Sequence, residues 1–342
     1  MMNKPFIVPV FLPHSGCPHR CVFCNQTEIT GKREHFPGSD ALRAEIRIFL
    51  SHRGKKRGKT EISFYGGNFL GLEKRQITMC LDVAAEFVEK NAAQGIRFST
   101  RPDTISAGTL NRIADYPVST VEIGAQSMAD TVLARSRRGH TAEDTEQAIS
   151  ELKKHPYRIG MQLMTGLPGD SAGLSKETAR RSAELCPDFV RIYPALVIRG
   201  SPLAKCYRQM RYTPLTLKEC VHRLKEMHEI FSSHCIPVIR MGLQATDGLS
   251  AGSVLAGPYH PSIGHMALAE IMREKAEEAI RRTRPSGPQI ILRIHPGSYS
   301  RMQGLKNRNL EKLRETFNFS RIKLLPDSMI PELGVEVEDA LP

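Results

Sequence analysis

Three cysteines lie within eight positions of one another in HSGCPHRCVFCNQTEITG, residues 14–31. Cys17, Cys21 and Cys24 form C-x3-C-x2-C in a polar loop with Gly16, Pro18 and His19. A loop of this kind can wrap thiolates around a cube of iron and sulfide. Three protein ligands would leave one iron open, and an open metal position is what chemistry requires. The competing reading is a structural zinc site, which needs a fourth ligand, and His14 and His19 stand nearby. Buried reduced thiols are a third reading, against which the polar setting counts. Cys80, Cys186, Cys206, Cys220 and Cys235 are scattered and read as single thiols rather than a second cluster.

Such a loop needs a frame. The 342 residues suffice for one large or several small domains, and a hydrophobic share of 40% with 25% charged residues is ordinary for a globular protein. MMNKPFIVPVFLPH lacks the pattern of a signal peptide, and no apolar stretch reaches the ~20 residues that span a bilayer. The expectation is a cytoplasmic protein without membrane contact, its thiols reduced. The formal charge of +12 favours polyanionic partners, nucleic acid first among them, although a solvated basic surface explains the charge as well.

Short β-rich runs at 6–13, 61–67, 96–101, 118–127, 157–169 and 189–198 alternate with amphipathic stretches at 39–52, 73–91, 141–154, 174–185 and 216–233. This rhythm predicts βαβ units and an α/β fold, a partial (β/α)6 parallel barrel. Several strands end in glycine or polar residues (YGGN, STRPD, GAQS, TGLPG, VIRG), and the C-terminal ends of parallel barrel strands line the mouth where chemistry is placed. Beyond about residue 235 the sequence becomes loop-rich. A charged helix follows at 266–284, then a PSGP linker, then strand, helical and strand patterns. The expected division is a core at 1–240, a loop-and-helix extension closing the barrel at 241–284, and a small basic α/β tail at 285–342.

The CxxxCxxC loop resembles the signature of the radical S-adenosylmethionine (SAM) superfamily. FYGGNFLGL, FSTRPDTI, VEIGAQSMADTVLARSRRGHT, MQLMTGLPG and RIYPALVIRGSPLAK are similar, in order, to segments of the radical SAM domain of the Elongator catalytic subunit and its bacterial relatives. The oxygen-independent coproporphyrinogen oxidases are more distant kin. This resemblance covers roughly the first 240 residues and implies a barrel of radical SAM type. It implies a [4Fe-4S] cluster on Cys17, Cys21 and Cys24, with SAM on the open iron, cleaved to a 5′-deoxyadenosyl radical that abstracts hydrogen. It also implies a reductant such as a flavodoxin or ferredoxin.

Carried over residue by residue, the resemblance places Phe23 beside the adenine or the cluster. It gives Gly66, Gly67 and Asn68 to the SAM ammonium group. Asn68 stands where the superfamily often has glutamate, so that contact falls mainly to backbone carbonyls. Ser99 and Arg101 would lie near the methionine moiety, with a surface salt bridge to Asp103 as the plain alternative for Arg101. Gln126 and Arg138 match SAM-contacting positions, Arg138 as a carboxylate binder, although Arg135 and Arg137 compete with it as a phosphate-facing patch. Gln162 replaces an aspartate that holds the ribose. Glu122 shares a strand face with Gly124 and Gln126, and a charge inside a barrel needs a partner.

Arg199 is a candidate for contact with substrate or cofactor, a cap on the barrel rim being the alternative; Tyr259, His260 and His265 are candidates for substrate contact, a proline-rich loop with satisfied histidines being the alternative. In the tail, RMQGLKNRNLEKLRETF weakly resembles a KH module, in which a GxxG loop clamps a nucleic-acid backbone. Gly304 fits the first glycine, Asn307 replaces the second, and Lys306 lies between them. The plainer reading of the tail is a small α/β addition with an ordinary helical turn; on the KH reading it presents RNA to the radical, and the leading expectation is a radical SAM enzyme of RNA, with tRNA the candidate. Two alternatives stand beside it. One is a radical SAM oxidoreductase of a small metabolite or porphyrinogen; the other is a non-catalytic iron–sulfur or RNA-binding protein. The residues name no substrate.

Overall fold

The computed structural model describes residues 5–31, 36–54, 58–243 and 252–340. Lys55, Lys56 and Arg57 of the basic run SHRGKKRGK lie outside them. The chain forms two compact units, one of residues up to Cys220 with Met227–Tyr259, the other of Val221–Glu226 with residues from His260 onward.

The first unit is built on β1 (Phe6–Leu12), β2 (Thr60–Gly66), β3 (Gly95–Thr100), β4 (Val118–Gln126), β5 (Arg158–Thr165), β6 (Phe189–Pro194), β7 (Val197–Ile198), β8 (Val238–Met241) and β9 (Val254–Ala256). Seven of these form one sheet in the order β1-β2-β3-β4-β5-β6-β8, and every neighbouring pair is parallel. The connections carry α1 (Gln26–Thr30), α2 (Ser39–Ser51), α3 (Lys74–Glu89), α4 (Ala107–Asn111), α5 (Asp130–Arg135), α6 (Ala142–Leu152), α7 (Ala172–Glu184), α8 (Pro202–Arg208) and α9 (Leu217–Ser233). Side-chain caps start several helices: Thr141 with Asp144 opens α6 and Thr216 with Glu219 opens α9, each satisfying otherwise orphaned N–H groups.

Alternation along the strands divides the sheet into two faces. Val8, Val10, Ile62, Phe64, Ile96, Phe98, Val121, Ile123, Met161, Leu163, Val190 and Ile192 are buried on one. The other carries Phe11, Tyr65, Ser99, Gly124, Gln162, Met164, Arg191 and Tyr193, all partly exposed. The second face is therefore the open inner wall of a partial barrel.

Three boundaries differ from the sequence expectation. A seventh strand, β8, sits in the stretch read as the start of a loop region; it is only four residues long, followed at once by Gly242 with φ +84°. The run 189–198 breaks after Pro194, and β7 pairs antiparallel with β9 in a separate two-stranded sheet. The run 157–169 ends as a strand at Thr165, before Gly166 turns with φ +80°.

The second unit contains α10 (Ile263–Thr283), β10 (Gln289–Ile294), α11 (Tyr299–Gln303), α12 (Arg308–Phe317), β11 (Arg321–Pro326) and β12 (Val335–Asp339). Its sheet order is β11-β10-β12, with β11 parallel and β12 antiparallel to β10. Met272, Ala276, Ala279 and Ile280 of α10 pack with Ile290, Leu292, Ile294, Met302, Leu313 and Val337 in one core. The expected boundary at 284/285 thus falls inside this unit, because α10 covers the sheet of the tail. Among the described residues no helix is long and apolar enough to cross a membrane.

Candidate active site at the C-terminal edge of the parallel sheet

The cysteine loop leaves the C-terminal end of β1 and is fastened from several sides. Val22 N donates to Ser136 O at 3.1 Å and Leu203 N to Val22 O at 2.7 Å, tying the loop to the α5 turn and to α8. Phe23 packs with the buried Val132, Leu167 and Ala195. Gly16 takes φ +72°, and a Cβ there would stand 2.3 Å from Asn68 O. Gln26 was not singled out from the sequence. Its amide accepts from His14 N and donates to Gly66 O, fixing the loop against the end of β2.

The three thiols feel one another. Burial and the neighbouring Cys21 push the Cys17 thiol up. Burial, then Cys21 and Cys17, push Cys24 up to about 12, with Arg138 acting the other way. The raised thiols of Cys17 and Cys24 need added positive charge to ionise, which iron would bring, so this donor set fits an iron–sulfur cluster. Among the described residues no three Cys, His, Asp or Glu side chains are gathered around a single point as one ion requires.

Arg138 reaches this loop. Its Nη1 donates to Cys21 Sγ at 3.1 Å and its Nη2 to Gly124 O at 2.5 Å, while its buried Nε has no partner. Gly124 leaves room for this: a Cβ there would meet Gln126 Nε2 at 2.9 Å. Of the three clustered arginines only Arg138 is buried; Arg135 and Arg137 are exposed. Arg101 is 3% exposed and grips Asp103 with Nε and Nη2, at 2.9 and 2.8 Å, while Nη2 also donates to Arg138 O. Its Nη1 is buried and unpartnered. The salt bridge weighed as the alternative is therefore present, and one nitrogen remains. Gln126, at φ +68°, accepts from Gln162 Nε2 at 3.2 Å, so those two amides are adjacent. Beside them His140 is pushed down to about 4 by burial, then by Arg138 and Arg101, and is neutral near pH 7.

Asn68 departs from its expected use. It is fully enclosed: Nδ2 donates to Gly16 O at 2.9 Å, and Oδ1 accepts from Thr100 Oγ1, Arg101 N and Thr104 Oγ1 at 2.7, 3.0 and 3.1 Å. Its amide is spent on bracing the loop, not left open to a ligand. Gly67 closes on the same loop, with a Cβ position only 2.0 Å from Ser15 O. Ser99 lies lower on the inner wall, partly exposed.

Beneath this edge, Glu122 finds the partners its burial demands. Arg97 Nε donates to Glu122 Oε1 at 2.5 Å, Arg191 Nη1 lies 3.2 Å from Oε2, and Tyr65 OH donates to Oε1 at 3.2 Å. Arg97 also binds Glu61 at 3.1 Å and lies over the Phe189 ring. Arg191 and Tyr193 went unremarked in the sequence, although FVRIYP spaces them two apart, on one strand face.

The remaining candidates separate. Arg199 is exposed; its backbone O accepts from Asn25 Nδ2 at 2.7 Å and its Nη2 donates to Gly252 O at 2.9 Å, so it ties the end of the cysteine loop to the segment before β9. Tyr259 packs against the buried Leu196 and Ile198, as do Ile29 and Val254. His260 uses Nδ1 locally, accepting from Ser262 N at 3.0 Å. Gly304 and Lys306 belong to the second unit. There Gly304 has φ +69° and Lys306 and Asn307 are left-handed, so the GLKN turn forms and Asn307 holds the conformation asparagine tolerates.

Comparison with known proteins places this arrangement. The Radical SAM superfamily model matches residues 11–180 and the Radical_SAM C-terminal domain model residues 187–274. The chain is 27% identical to a tRNA uridine(34) acetyltransferase of Methanocaldococcus infernus, over 63% of this chain and 47% of that protein. An uncharacterised protein of Methanocaldococcus jannaschii is 26% identical, over 68% of this chain and 74% of its own length. The chain spans about half the length of the tRNA uridine(34) acetyltransferases it matches. Among solved structures, archaeal Elp3 of Methanocaldococcus infernus superposes with a TM-score of 0.61 at 23% identity, over 81% of this chain and 64% of that one. The Radical SAM model spans the three-cysteine loop and strands β2 to β5 of the parallel partial barrel, and the C-terminal domain model continues from residue 187, so this chain is a member of the radical SAM superfamily and an enzyme of that type.

Proposed function

We propose that this chain holds a [4Fe-4S] cluster on Cys17, Cys21 and Cys24, binds SAM at the open iron, and modifies RNA, with tRNA the first candidate. The observation that carries the cofactor reading is the trio of mutually interacting thiols with the Arg138 guanidinium on Cys21. When bound, cluster and SAM supply one-electron cleavage of the sulfonium and a 5′-deoxyadenosyl radical for hydrogen abstraction.

The chain's own residues have the following roles on this reading. The backbone at Gly66 and Gly67 approaches the SAM amino group without side-chain hindrance. Arg138 and Arg101 take its carboxylate through the guanidinium nitrogens that lack partners. Gln126 and Gln162 offer amides to the ribose, and Phe23 fixes the loop from behind. Electrons come from a flavodoxin or ferredoxin.

The RNA reading rests on the tRNA-directed names of the relatives, the charge of +12, and the exposed basic residues Lys306, Arg308 and Lys312 at the GLKN turn and along α12. Filter binding to total tRNA across a salt series tests it. A steep salt slope, reduced in Lys306→Glu/Lys312→Glu, is expected. Salt-independent or absent binding would point instead to a small substrate. Comparative mass spectrometry of tRNA nucleosides with and without the gene then identifies the product.

A further inference from the structure

The outer side of the cysteine loop is open. Pro18, His19 and Arg20, which link Cys17 to Cys21, are all exposed. Pro18 follows Cys17 and Arg20 precedes Cys21, so the surface here adjoins both of these thiols. On its inner side the loop is closed: Phe23 packs on Val132, Leu167 and Ala195, and Cys21 and Val22 are buried. Val22 N donates to Ser136 O at 3.1 Å, which pins the loop to the turn after α5. Ser136 is itself buried, while the residues on either side of it, Arg135 and Arg137, are exposed.

This turn is shaped to present cations. Arg137 takes φ +53°, a left-handed conformation that strains an arginine, and it stays exposed while Arg138 reaches in to Cys21. Gly139 follows at φ +70°, and a Cβ there would collide with the His19 ring, so the imidazole of the loop lies directly on the turn. Arg135 lies across Gly169, where a Cβ would stand 2.6 Å from its Cδ and 3.0 Å from its Nη1. Among the described residues no carboxylate pairs with Arg135 or Arg137. The acids on adjoining turns are engaged elsewhere. Asp130 Oδ1 accepts from Ala142 N at 2.7 Å, and Asp170 Oδ2 accepts from Gly166 N and Ser175 Oγ at 2.7 and 2.8 Å.

We infer that Arg135 and Arg137, with Arg20 and the exposed edge of the cysteine loop at His19, form the docking face for an acidic one-electron carrier protein. This inference rests on the cluster reading of the same loop and assigns the surface through which the cluster is reduced. One electron leaves the carrier, which is oxidised by one, and enters the cluster, which is reduced by one; no bond forms or breaks and no proton moves. Opposite charge speeds such an encounter and orients it. A carrier fits this face better than RNA does. The cations flank the residues that adjoin two thiols, and no Phe, Tyr or Trp stands among them as a stacking platform, while the His19 ring is seated on Gly139.

The test compares two reductants. The cluster-loaded full chain is mixed with SAM and an acidic flavodoxin kept reduced by its NADPH-dependent reductase, and release of 5′-deoxyadenosine is timed at low salt. In Arg135→Glu/Arg137→Glu the release is expected to slow about tenfold, and the difference from wild type should shrink as salt rises. With dithionite in place of flavodoxin the two proteins should be equal, because a small reductant needs no docking face. Arg135→Gln/Arg137→Asn, which gives the left-handed position a residue that tolerates it, should fall between. Lys90→Glu/Lys153→Glu makes the same change of net charge at exposed residues capping the ends of α3 and α6, and should leave the flavodoxin rate unchanged. Binding of oxidised flavodoxin to the same proteins before cluster loading, followed by fluorescence anisotropy, reads the face without iron or SAM, so its result is separate from any failure of radical chemistry. There the affinity should fall in the arginine variants alone. No binding by wild type, wild-type affinity in both arginine variants, or an equal loss in the lysine variant overturns the inference. Loss of tRNA binding in the arginine variants with flavodoxin binding intact assigns the face to RNA and overturns it as well.

Discussion

The side-chain amide of Asn68 donates to the backbone carbonyl of Gly16 at 2.9 Å, so the end of β2 and the turn before Cys17 are held by one side chain. Asn68→Ala removes this bond and the acceptor for Thr100, Arg101 N and Thr104, leaving buried groups unsatisfied. A loss of about 2–4 kcal/mol is expected. Asn68→Glu, which restores the residue common in the superfamily, is expected to fare no better, because a carboxylate oxygen would face Gly16 O. Thermal midpoint and iron content after reconstitution check both; unchanged values in either variant contradict the bracing role.

Glu122 is shared by Arg97 and Arg191. Glu122→Leu leaves buried guanidiniums uncompensated and is expected to cost about 3–5 kcal/mol. Glu122→Gln keeps an acceptor and should cost less. Urea unfolding of both variants measures the order, and a Leu variant as stable as wild type would refute the network as drawn.

His140 gives a pH dependence. Its folded pKa, about 4, lies below the ordinary 6.5, so the unfolded chain binds the proton more readily. Stability therefore falls as pH drops from about 6.5 toward 4. Between pH 7.5 and 5.5 this one group removes about 1 kcal/mol. The wild type should lose that much more over this interval than His140→Gln; an equal loss in the two proteins would place the titration elsewhere.

Gly124 allows Arg138 and Gln126 to meet. Gly124→Ala sets a methyl 2.9 Å from Gln126 Nε2 and 3.6 Å from Arg138 Nη2. SAM affinity is expected to fall about tenfold, about 1.4 kcal/mol, while cluster absorbance is retained. Loss of both together would mean that the methyl disturbs the loop instead of the ligand pocket.

Much of this architecture is legible in the residues. The strand and helix bounds follow from alternation, capping boxes and glycine stops, so the six strands from Phe6 to Pro194 emerge nearly in place. β8 does not, because four residues between Pro237 and Gly242 carry too little periodicity. β12 does not either, since VEVED is mostly charged and only Val337 is buried, with Val335 packed at the margin of the core. Within the site, cysteine spacing marks the loop. Which of Arg135, Arg137 and Arg138 turns inward is set by Arg137 taking φ +53°, a backbone fact no spacing reveals. Asn68 reads as a ligand position from its neighbours, yet tertiary contacts from Gly16 and Thr100 claim it.

The most direct test of the whole account is anaerobic reconstitution with iron and sulfide, followed by dithionite and SAM, with 5′-deoxyadenosine quantified by chromatography. Wild type should bind iron and sulfide, turn brown and release 5′-deoxyadenosine, while Cys17→Ala, Cys21→Ala and Cys24→Ala lose colour and release alike. Iron-loaded wild type that releases none, or a cysteine variant that keeps both cluster and cleavage, would contradict it.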